Sequence, residues 1–321
     1  MSWVIFAHGD CDGVCSASLA FSAKKEAKVF FTNPAGLLQD LRQVKDENLI
    51  ITDIALTSSH KKEIISELKR ISSKYEVLYF DHHPLPLGLS TEEIPATLIR
   101  GEDDSCASEL VYSYFRDKLN PELSRVMVYG AIGDYSDNTK IVKEVLSEWD
   151  KRELYLEAGI LVKVLEGTKK RDYDFKRNLV LYLSQNKLPS LNEELIKIAV
   201  QESVLDEQMR EVIRVSTRVV GNVAYVKDIP WSLGKAATYA RVYGKTVVGV
   251  AAEERKEYVD MSIRTIALDN LYEIVSRVAE SLNGTGGGHK NAAGSRVQKD
   301  SFIQFIERLN NEVSICLGLK P

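Results

Sequence analysis

The sequence predicts an α/β fold. In this fold a mostly parallel N-terminal sheet with flanking helices is followed by a helical connector and a smaller C-terminal α/β domain. Three observations support the prediction. Short apolar runs alternate with helix-like segments up to residue 119. Strand-like runs then vanish from 139 to 215, and they return after 216. We therefore expect three parts, 1–138, 139–215 and 216–321.

The N-terminal part contains five apolar runs rich in β-branched and aromatic residues, a composition typical of buried strands. These runs are 3–7, 28–31, 49–53, 76–80 and 96–100. Helix-like segments lie between and after them, at 13–26, 36–46, 58–73 and 103–119. Because strands and helices alternate, the strands are expected to run parallel with helices covering both faces of the sheet.

The C-terminal part mixes strand and helix signals. Its predicted strands are 221–229, 245–254 and 257–265, and its predicted helices are 232–244, 268–283 and 300–315. Gly244 is expected to cap the first of these helices. A glycine-rich loop is expected at 284–288.

Composition excludes several classes of protein. The chain of 321 residues is 44% hydrophobic and carries 42 Lys+Arg against 46 Asp+Glu, a formal net charge of −4. This excludes disorder as the main state and argues against binding of nucleic acid through a strongly basic surface. No apolar run approaches the ~20 residues of a membrane span, and the N-terminus lacks the basic region of a signal peptide. The four cysteines show no zinc spacing, so a reducing, cytoplasmic location fits best.

Acidic residues and histidines follow four apolar runs that are interpreted as strands. They are His8, Asp10 and Asp12 after the first run, Asp53, then Asp81, His82 and His83, and finally Asp134 after the run 126–133. Ligands bind at the carboxyl ends of the strands in an open α/β sheet. These residues are therefore expected to converge at one edge.

Five carboxylates at one edge would repel one another unless cations lay between them. Carboxylate and imidazole ligands suit Mn²⁺ or Mg²⁺, with Co²⁺ also acceptable, and two such ions are a common device of phosphoryl transfer. The ligands suffice for two ions, and Asp53 is a candidate to bridge them. Any single aspartate could instead be a helix cap, and Cys11 and Cys15 are expected to be packing residues.

Two further features are compatible with anion binding. Gly286, Gly287 and Gly288 precede His289, and consecutive glycines let backbone N–H groups approach an anion. Arg264 ends a predicted strand and offers a guanidinium suited to phosphate. Each could equally be an ordinary turn or surface residue. A basic run is either a solvated helix face or a nucleic-acid track; it comprises Lys169, Lys170, Arg171, Lys176 and Arg177.

Together these motifs resemble the DHH phosphoesterase family, in its DHH–DHHA1 subfamily. Asp10-x-Asp12-Gly13, Asp53, Asp81-His82-His83 and Gly-Asp134 resemble its four motifs in order. The run from Gly286 to Gly294 resembles the GGGH signature of the DHHA1 domain. The spacing of the first motif is closer to compact, archaeal-type RecJ-like nucleases than to the nano-RNase branch.

The resemblance implies a role for each motif residue. Asp10 and Asp53 are expected to hold one metal ion, with His8 either as a further ligand or simply beside the site. Asp12, Asp53, His82 and Asp134 are expected to hold the other. It further implies that Asp81 orients His82 and that His83 contacts the scissile phosphate. His289, the backbone of Gly286–Gly288 and Arg264 are expected to hold a neighbouring phosphate, with the active site in the cleft between the two domains.

The implied activity is that of a two-metal exonuclease that degrades single-stranded DNA or RNA, or short oligonucleotides, from an end. One alternative is a phosphatase or phosphodiesterase of small nucleotides, such as a 3′-phosphoadenosine nucleotide or a cyclic dinucleotide. Another is a Cdc45-like replication scaffold with little catalysis. A replication or repair protein partner and a homodimer both stay open, and no membrane association is expected.

Overall fold

The computed structural model describes residues 2–57, 60–86, 88–101, 104–167, 171–288 and 290–318. The chain forms two compact units, Met1–Glu202 and Ser203–Pro321. The predicted connector 139–215 is thus divided between them.

The first unit is built on a sheet of five parallel strands in the order β2-β1-β3-β4-β5. The strands are β1 (Trp3–Ala7), β2 (Lys28–Phe31), β3 (Asn48–Thr52), β4 (Val77–Phe80) and β5 (Thr97–Ile99). Its first helices are α1 (Cys11–Ala23), α2 (Leu37–Gln43), α3 (Lys61–Ser72) and α4 (Ala107–Phe115). The predicted parallel sheet is confirmed.

Alternation along β1, an inner strand, explains why the sheet is covered on both faces. In β1, Ile5 and Ala7 belong to one hydrophobic cluster, and Val4 and Phe6 belong to another. Successive side chains of a strand point to opposite faces, so a strand that is apolar at every position needs two apolar layers. The inner strands β1, β3 and β4 therefore lie almost wholly buried, whereas the edge strands β2 and β5 are partly exposed.

The run 126–133 forms a helix, so the prediction of a strand before Asp134 was wrong. It lies within α5 (Ser124–Gly133), whose first eight residues are all buried. A short run that is apolar on every side does not reveal by its periodicity whether it is a helix or a strand. Here the run packs against α1 and α4 as a buried helix. Asp134 consequently follows a helix.

The segment 139–215 is helical, as predicted. It contains α6 (Lys140–Glu148), α7 (Lys151–Glu166), α8 (Tyr173–Ser184) and α9 (Glu193–Ser216). The helices α7 and α8 pack on α1, and their apolar faces enlarge one of the two cores of the first unit. These two helices are therefore part of the N-terminal unit and not a separate linker.

The second unit is built on a six-stranded mixed sheet in the order β10-β11-β9-β8-β7-β6. Its strands are β6 (Arg218–Val220), β7 (Val223–Lys227), β8 (Val248–Glu254), β9 (Tyr258–Thr265), β10 (Thr285–Gly288) and β11 (Ala292–Gln298). Only β7 and β8 pair in parallel among these strands. Its remaining helices are α10 (Leu233–Gly244), α11 (Leu271–Glu280) and α12 (Phe302–Cys316).

Two features of this unit differ from those predicted from the sequence. The glycine-rich segment 284–288 was expected to be a loop, but most of it forms the edge strand β10. Glycine has little intrinsic strand preference, so pairing with β11 determines this conformation. Gly244 is the last residue of α10, and the left-handed cap is Lys245, with a φ of 52°. Strands β6 and β11 were not predicted.

Among the described residues, no helix combines the length and the apolarity that crossing a lipid bilayer requires.

Two positions of α12 test the core of the second unit. Phe305 is fully buried, whereas Ile303 is 51% exposed. We expect Phe305→Ala to lower the free energy of unfolding by about 3–5 kcal/mol, because it leaves a cavity. Ile303→Ala on the same helix should change it by less than about 0.5 kcal/mol. Urea unfolding followed by circular dichroism measures both, and equal effects of the two changes would contradict this packing.

Candidate active site

The carboxyl ends of three neighbouring strands carry the predicted site residues. His8 directly follows β1, Asp53 follows β3 and Asp81 follows β4. Parallel strands end at the same edge, so the sheet itself brings these residues together. Asp134 reaches the same place from the end of α5, with its Oδ2 atom 3.5 Å from Nε2 of His82.

The first motif forms the tight start of α1. Asp10 is the N-cap, and its Oδ1 atom accepts a hydrogen bond from the backbone of Gly13 at 3.0 Å. Its Oδ2 atom lies 2.8 Å from Nδ1 of His8. A Cβ atom at position 13 would lie 2.2 Å from the carbonyl oxygen of His8, so only glycine fits there. Helix α1 can therefore begin only a few residues after the end of β1.

Asp12 connects the first motif to α4. Its two carboxylate oxygens accept hydrogen bonds from the backbone N–H groups of Ala107 (2.7 Å) and Ser108 (2.9 Å). The alternative role of a helix cap therefore applies to Asp12 as well as to Asp10. A carboxylate oxygen has two lone-pair sites, so each of these aspartates can cap a helix and still offer a ligand atom to a cation.

Asp53 lies between two histidines. Its Oδ1 atom is 3.4 Å from Nε2 of His82, and its Oδ2 atom is 3.6 Å from Nδ1 of His8. The backbone φ of Asp53 is +60°, in the left-handed region that few residues other than glycine adopt. Oδ2 of Asp53 and Nε2 of His82 are buried and have no hydrogen-bond partner among the described residues. Such orphaned atoms are costly unless a ligand satisfies them.

Asp81 orients His83. The buried Oδ1 atom of Asp81 lies 2.8 Å from Nδ1 of His83. The family resemblance implied that Asp81 orients His82, and that prediction was wrong; His82 instead faces Asp53 and Asp134. Two neighbouring residues that follow a strand end point in different directions, and the sequence alone does not reveal which ring the carboxylate meets.

Arg100 is a site residue that the sequence analysis missed. It follows β5, donates a hydrogen bond from Nη2 to the carbonyl oxygen of His83, and places Nη1 3.7 Å from Oδ2 of Asp81. Its position at the carboxyl end of the fifth strand was the available signal. Arg100 thus contacts both members of the Asp81–His83 pair.

Burial and neighbouring charges shift the pKa values of His8, His82 and Asp134. Burial alone would lower the pKa of His8, but the carboxylates of Asp10 and Asp53 outweigh it and raise this pKa to about 10. Burial would likewise lower the pKa of His82, which the surrounding carboxylates raise to about 9. For Asp134, burial and the nearby charge of Asp12 raise the pKa to about 7. Without cations, the histidines therefore act as the counter-charges of the acids.

The cluster fits divalent cations. Three groups of side chains bring their ligand atoms within 4.8 Å of one another. They are His8, Asp10 and Asp53; Asp12, His82 and Asp134; and Asp53, His82 and His83. The donors are oxygen and imidazole nitrogen atoms, which suit Mn²⁺ or Mg²⁺. Cys11 and Cys15 pack in the hydrophobic core, as predicted.

In the second unit, Arg264 and the glycine strand lie on opposite sides of β11. Arg264 is paired with Ala292, and Gly288 with Ala293. An open groove of about 490 Å³ along the edge is lined by residues that include Gly286, Gly287 and Arg296. His289 lies outside the described residues.

The basic run does not form one continuous surface. Lys176 is buried, whereas Arg177 is partly exposed and paired with Asp174. Lys169 and Lys170 lie outside the described residues. Lys176 occupies the same helical face as the buried residues Leu179, Val180 and Leu183, and this spacing was a signal of its burial.

Such a site, at the end of a parallel sheet and suited to two divalent cations, is typical of hydrolases that act on phosphate esters. Residues 2–132 match the DHH family, N-terminal domain, and residues 221–314 match the DHHA1 domain. The chain therefore belongs to the DHH–DHHA1 phosphoesterase family, whose members hydrolyse phosphoester bonds. No curated protein is significantly similar to it in sequence.

Solved structures with the same fold include three informative ones. RecJ from Thermus thermophilus in complex with Mn²⁺ has a TM-score of 0.70 and 18% identity, with 98% of this chain and 52% of that chain covered. The pGpG-specific phosphodiesterase PggH from Vibrio cholerae has a TM-score of 0.63 and 15% identity, with 98% and 99% covered. The DHH domain of a member of a family of ribosomal proteins has a TM-score of 0.69 and 14% identity, with 100% and 87% covered. At these identities the likeness establishes a shared fold. RecJ from Thermus thermophilus has also been solved in complex with Mg²⁺.

We expect cation binding to the cluster to strengthen as the pH rises from about 6 to about 8. A bound cation must replace the protons of His8 and His82 and requires Asp134 to be ionised, which happens as the pH passes about 7. Calorimetric titration of the metal-free protein with Mn²⁺, in buffers of different ionisation enthalpy, measures both the affinity and the released protons.

The same linkage predicts how stability responds. The pKa of Asp134 is raised above its ordinary value of 3.8, so ionising it costs the metal-free fold stability as the pH rises from about 4 through about 7. The increase in melting temperature on adding Mn²⁺ should accordingly be larger at about pH 8 than at about pH 6. An increase that is the same at both values, with no proton release, would contradict the assigned ligands.

Proposed function

We propose that this protein is a phosphodiesterase that depends on divalent metal ions and removes nucleotides from an end of single-stranded nucleic acid or of short oligonucleotides. The observation that carries the proposal is the position of Asp53, whose two carboxylate oxygens face His8 on one side and His82 on the other. One carboxylate between two groups of ligands is suited to a pair of cations that share it.

The ligands divide into two groups around Asp53. His8 and Asp10 would hold one cation together with Asp53, and Asp12, His82 and Asp134 would hold the other, also with Asp53. Bound divalent cations at such a site lower the pKa of water and offset the negative charge of a phosphodiester. Asp10 and Asp12 are fixed by the backbone of α1 and α4, so the protein supplies preformed oxygen ligands.

His83 contacts the scissile phosphate. Asp81 engages Nδ1 of its ring, and Arg100 holds its carbonyl oxygen. A ring fixed in this way presents Nε2 in one direction. In its imidazolium form, with a proton on each ring nitrogen, His83 can therefore donate a hydrogen bond from Nε2 to a phosphate oxygen.

The second unit carries candidate phosphate ligands of its own. We propose that Arg264, the backbone of Gly286–Gly288 and His289 bind a phosphate or the terminal nucleotide of the substrate. The proposal is supported by the edge position of β10, whose glycines leave backbone N–H groups accessible to an anion.

A second candidate function is hydrolysis of dinucleotides or other small nucleotides. It is favoured by the likeness to the pGpG-specific phosphodiesterase, whose chain is covered almost in full, whereas the chain of Thermus RecJ is covered to about half. The chemistry of the site is the same for both candidates. The complete set of acidic ligands favours either enzyme over a non-catalytic scaffold.

A panel of substrates separates these candidates. End-labelled DNA and RNA strands from two nucleotides upward, with free or blocked 5′ and 3′ ends, are incubated with Mn²⁺ or Mg²⁺. We expect mononucleotides to be released from oligomers and one blocked end to prevent the release. Turnover confined to dinucleotides would support the second candidate, and hydrolysis of neither would overturn both.

A matched pair of aspartate variants tests the centre. Asp53→Asn keeps the shape of the side chain and removes its charge; it should lower kcat by at least about 100-fold, because a ligand shared by both cations is lost. Asp117→Asn changes an exposed aspartate outside the cluster and should leave kcat unchanged. Rates measured at saturating Mn²⁺ decide the matter. Full activity of Asp53→Asn would exclude the assigned centre.

A further inference from the structure

Lys176 is a buried lysine beside the candidate metal centre. It lies on α8, and only 1% of its surface is exposed. Removing a lysine side chain from water is expensive unless its nitrogen finds partners inside the protein. An apolar residue would complete this helix face at a lower cost, so the position calls for a specific explanation.

The side-chain nitrogen of Lys176 reaches the turn that carries the first motif. Nζ donates a hydrogen bond to the carbonyl oxygen of Gly9, the residue between His8 and Asp10. The same Nζ atom lies 5.9 Å from the ring centre of Phe31 and 5.7 Å from that of Tyr173. The two rings stack on each other, with their planes 13° apart. Cation–π attraction at these distances partly replaces the lost water.

Gly9 is shaped to receive this contact. A Cβ atom at position 9 would lie 2.6 Å from Nζ of Lys176, which is closer than carbon and nitrogen atoms can approach. Any larger residue at position 9 would displace the nitrogen from the turn. Gly9 and Lys176 are therefore a matched pair, contributed by segments that are 167 residues apart in the chain.

We propose that Lys176 is a positioning residue of the candidate metal centre: its bond to Gly9 holds the turn in the conformation in which His8 and Asp10 face Asp53. The inference rests on the proposed function for the identity of the ligand, a divalent cation. Helix α8 contributes no ligand itself, but under this proposal it helps to position His8 and Asp10.

The charge of Lys176 and its positioning role predict opposite effects on Mn²⁺ affinity, so the inference is testable. A protonated Lys176 would repel a cation bound nearby. If the residue acted only through its charge, replacing it with a neutral side chain would strengthen Mn²⁺ binding. If it positions the ligands, the same replacement weakens Mn²⁺ binding, because partners that orient metal ligands are typically worth about 10–100-fold in affinity.

The experiment titrates the metal-free full-length protein with Mn²⁺ and counts free Mn²⁺ by electron paramagnetic resonance. We expect Lys176→Met, which keeps the length and removes the charge, to weaken binding of one Mn²⁺ by about 10-fold or more. Arg177→Met, at the adjacent and partly exposed position of the same helix, should bind Mn²⁺ as the unmodified protein does. Unchanged or tighter binding by a folded Lys176→Met would overturn the proposal, as would a lower melting temperature with unchanged Mn²⁺ affinity.

Gly9→Ala provides a second, independent variant. It leaves Lys176 in the chain but displaces its nitrogen, so it should weaken the same Mn²⁺ site, and it serves alone if Lys176→Met does not fold. In the double variant the two losses should be clearly less than additive, since both remove one contact. Full additivity would overturn the proposal. These readouts need no nucleic acid, so failure of the proposed nuclease activity would leave them interpretable.

Discussion

Mutual repulsion of carboxylates at one sheet edge is the constraint on which the rest of the first unit depends. Parallel strands end side by side, so Asp53 and Asp81 are unavoidably neighbours of the acids that follow β1. In the metal-free protein the imidazoles of His8 and His82 balance this charge, and their raised pKa values express the balance. Divalent cations would take over the same task, and the buried, unpartnered atoms of Asp53 and His82 fit that role.

The acids of the first motif also hold the fold together. Asp10 caps α1, and Asp12 accepts the first backbone N–H groups of α4. The N-terminus of a helix favours negative charge, so each contact stabilises a carboxylate where burial would otherwise penalise it. The structural role and the proposed role as a metal ligand thus belong to the same side chains. The sequence left open whether these aspartates are helix caps or metal ligands. Asp10 and Asp12 can be both, so the two alternatives do not exclude each other.

A surrounding layer fixes the orientation of the site residues. Arg100 and Asp81 hold His83, and Lys176 reaches the turn between His8 and Asp10. Arg100 directly follows β5 and lies 17 residues from His83, and Lys176 lies in α8, 167 residues from Gly9. Short motifs identify a DHH–DHHA1 protein. The contacts that support the candidate centre also involve residues outside those motifs.

The sequence by itself determined the parallel sheet, the helical segment 139–215 and the set of residues that meet at the sheet edge. The alternation of strands and helices and the ends of apolar runs are local patterns, so they can be read from one sequence.

The sequence did not determine that 126–133 is a helix, that the glycines of β10 form a strand, or that Asp81 contacts His83. Nor did it show that Lys176 is buried. Each of these depends on what packs against the segment from elsewhere in the chain: α1 and α4 around α5, β11 beside β10, Arg100 beside Asp81, and Gly9 beside Lys176. Contacts between distant segments, and not local preference, decided them.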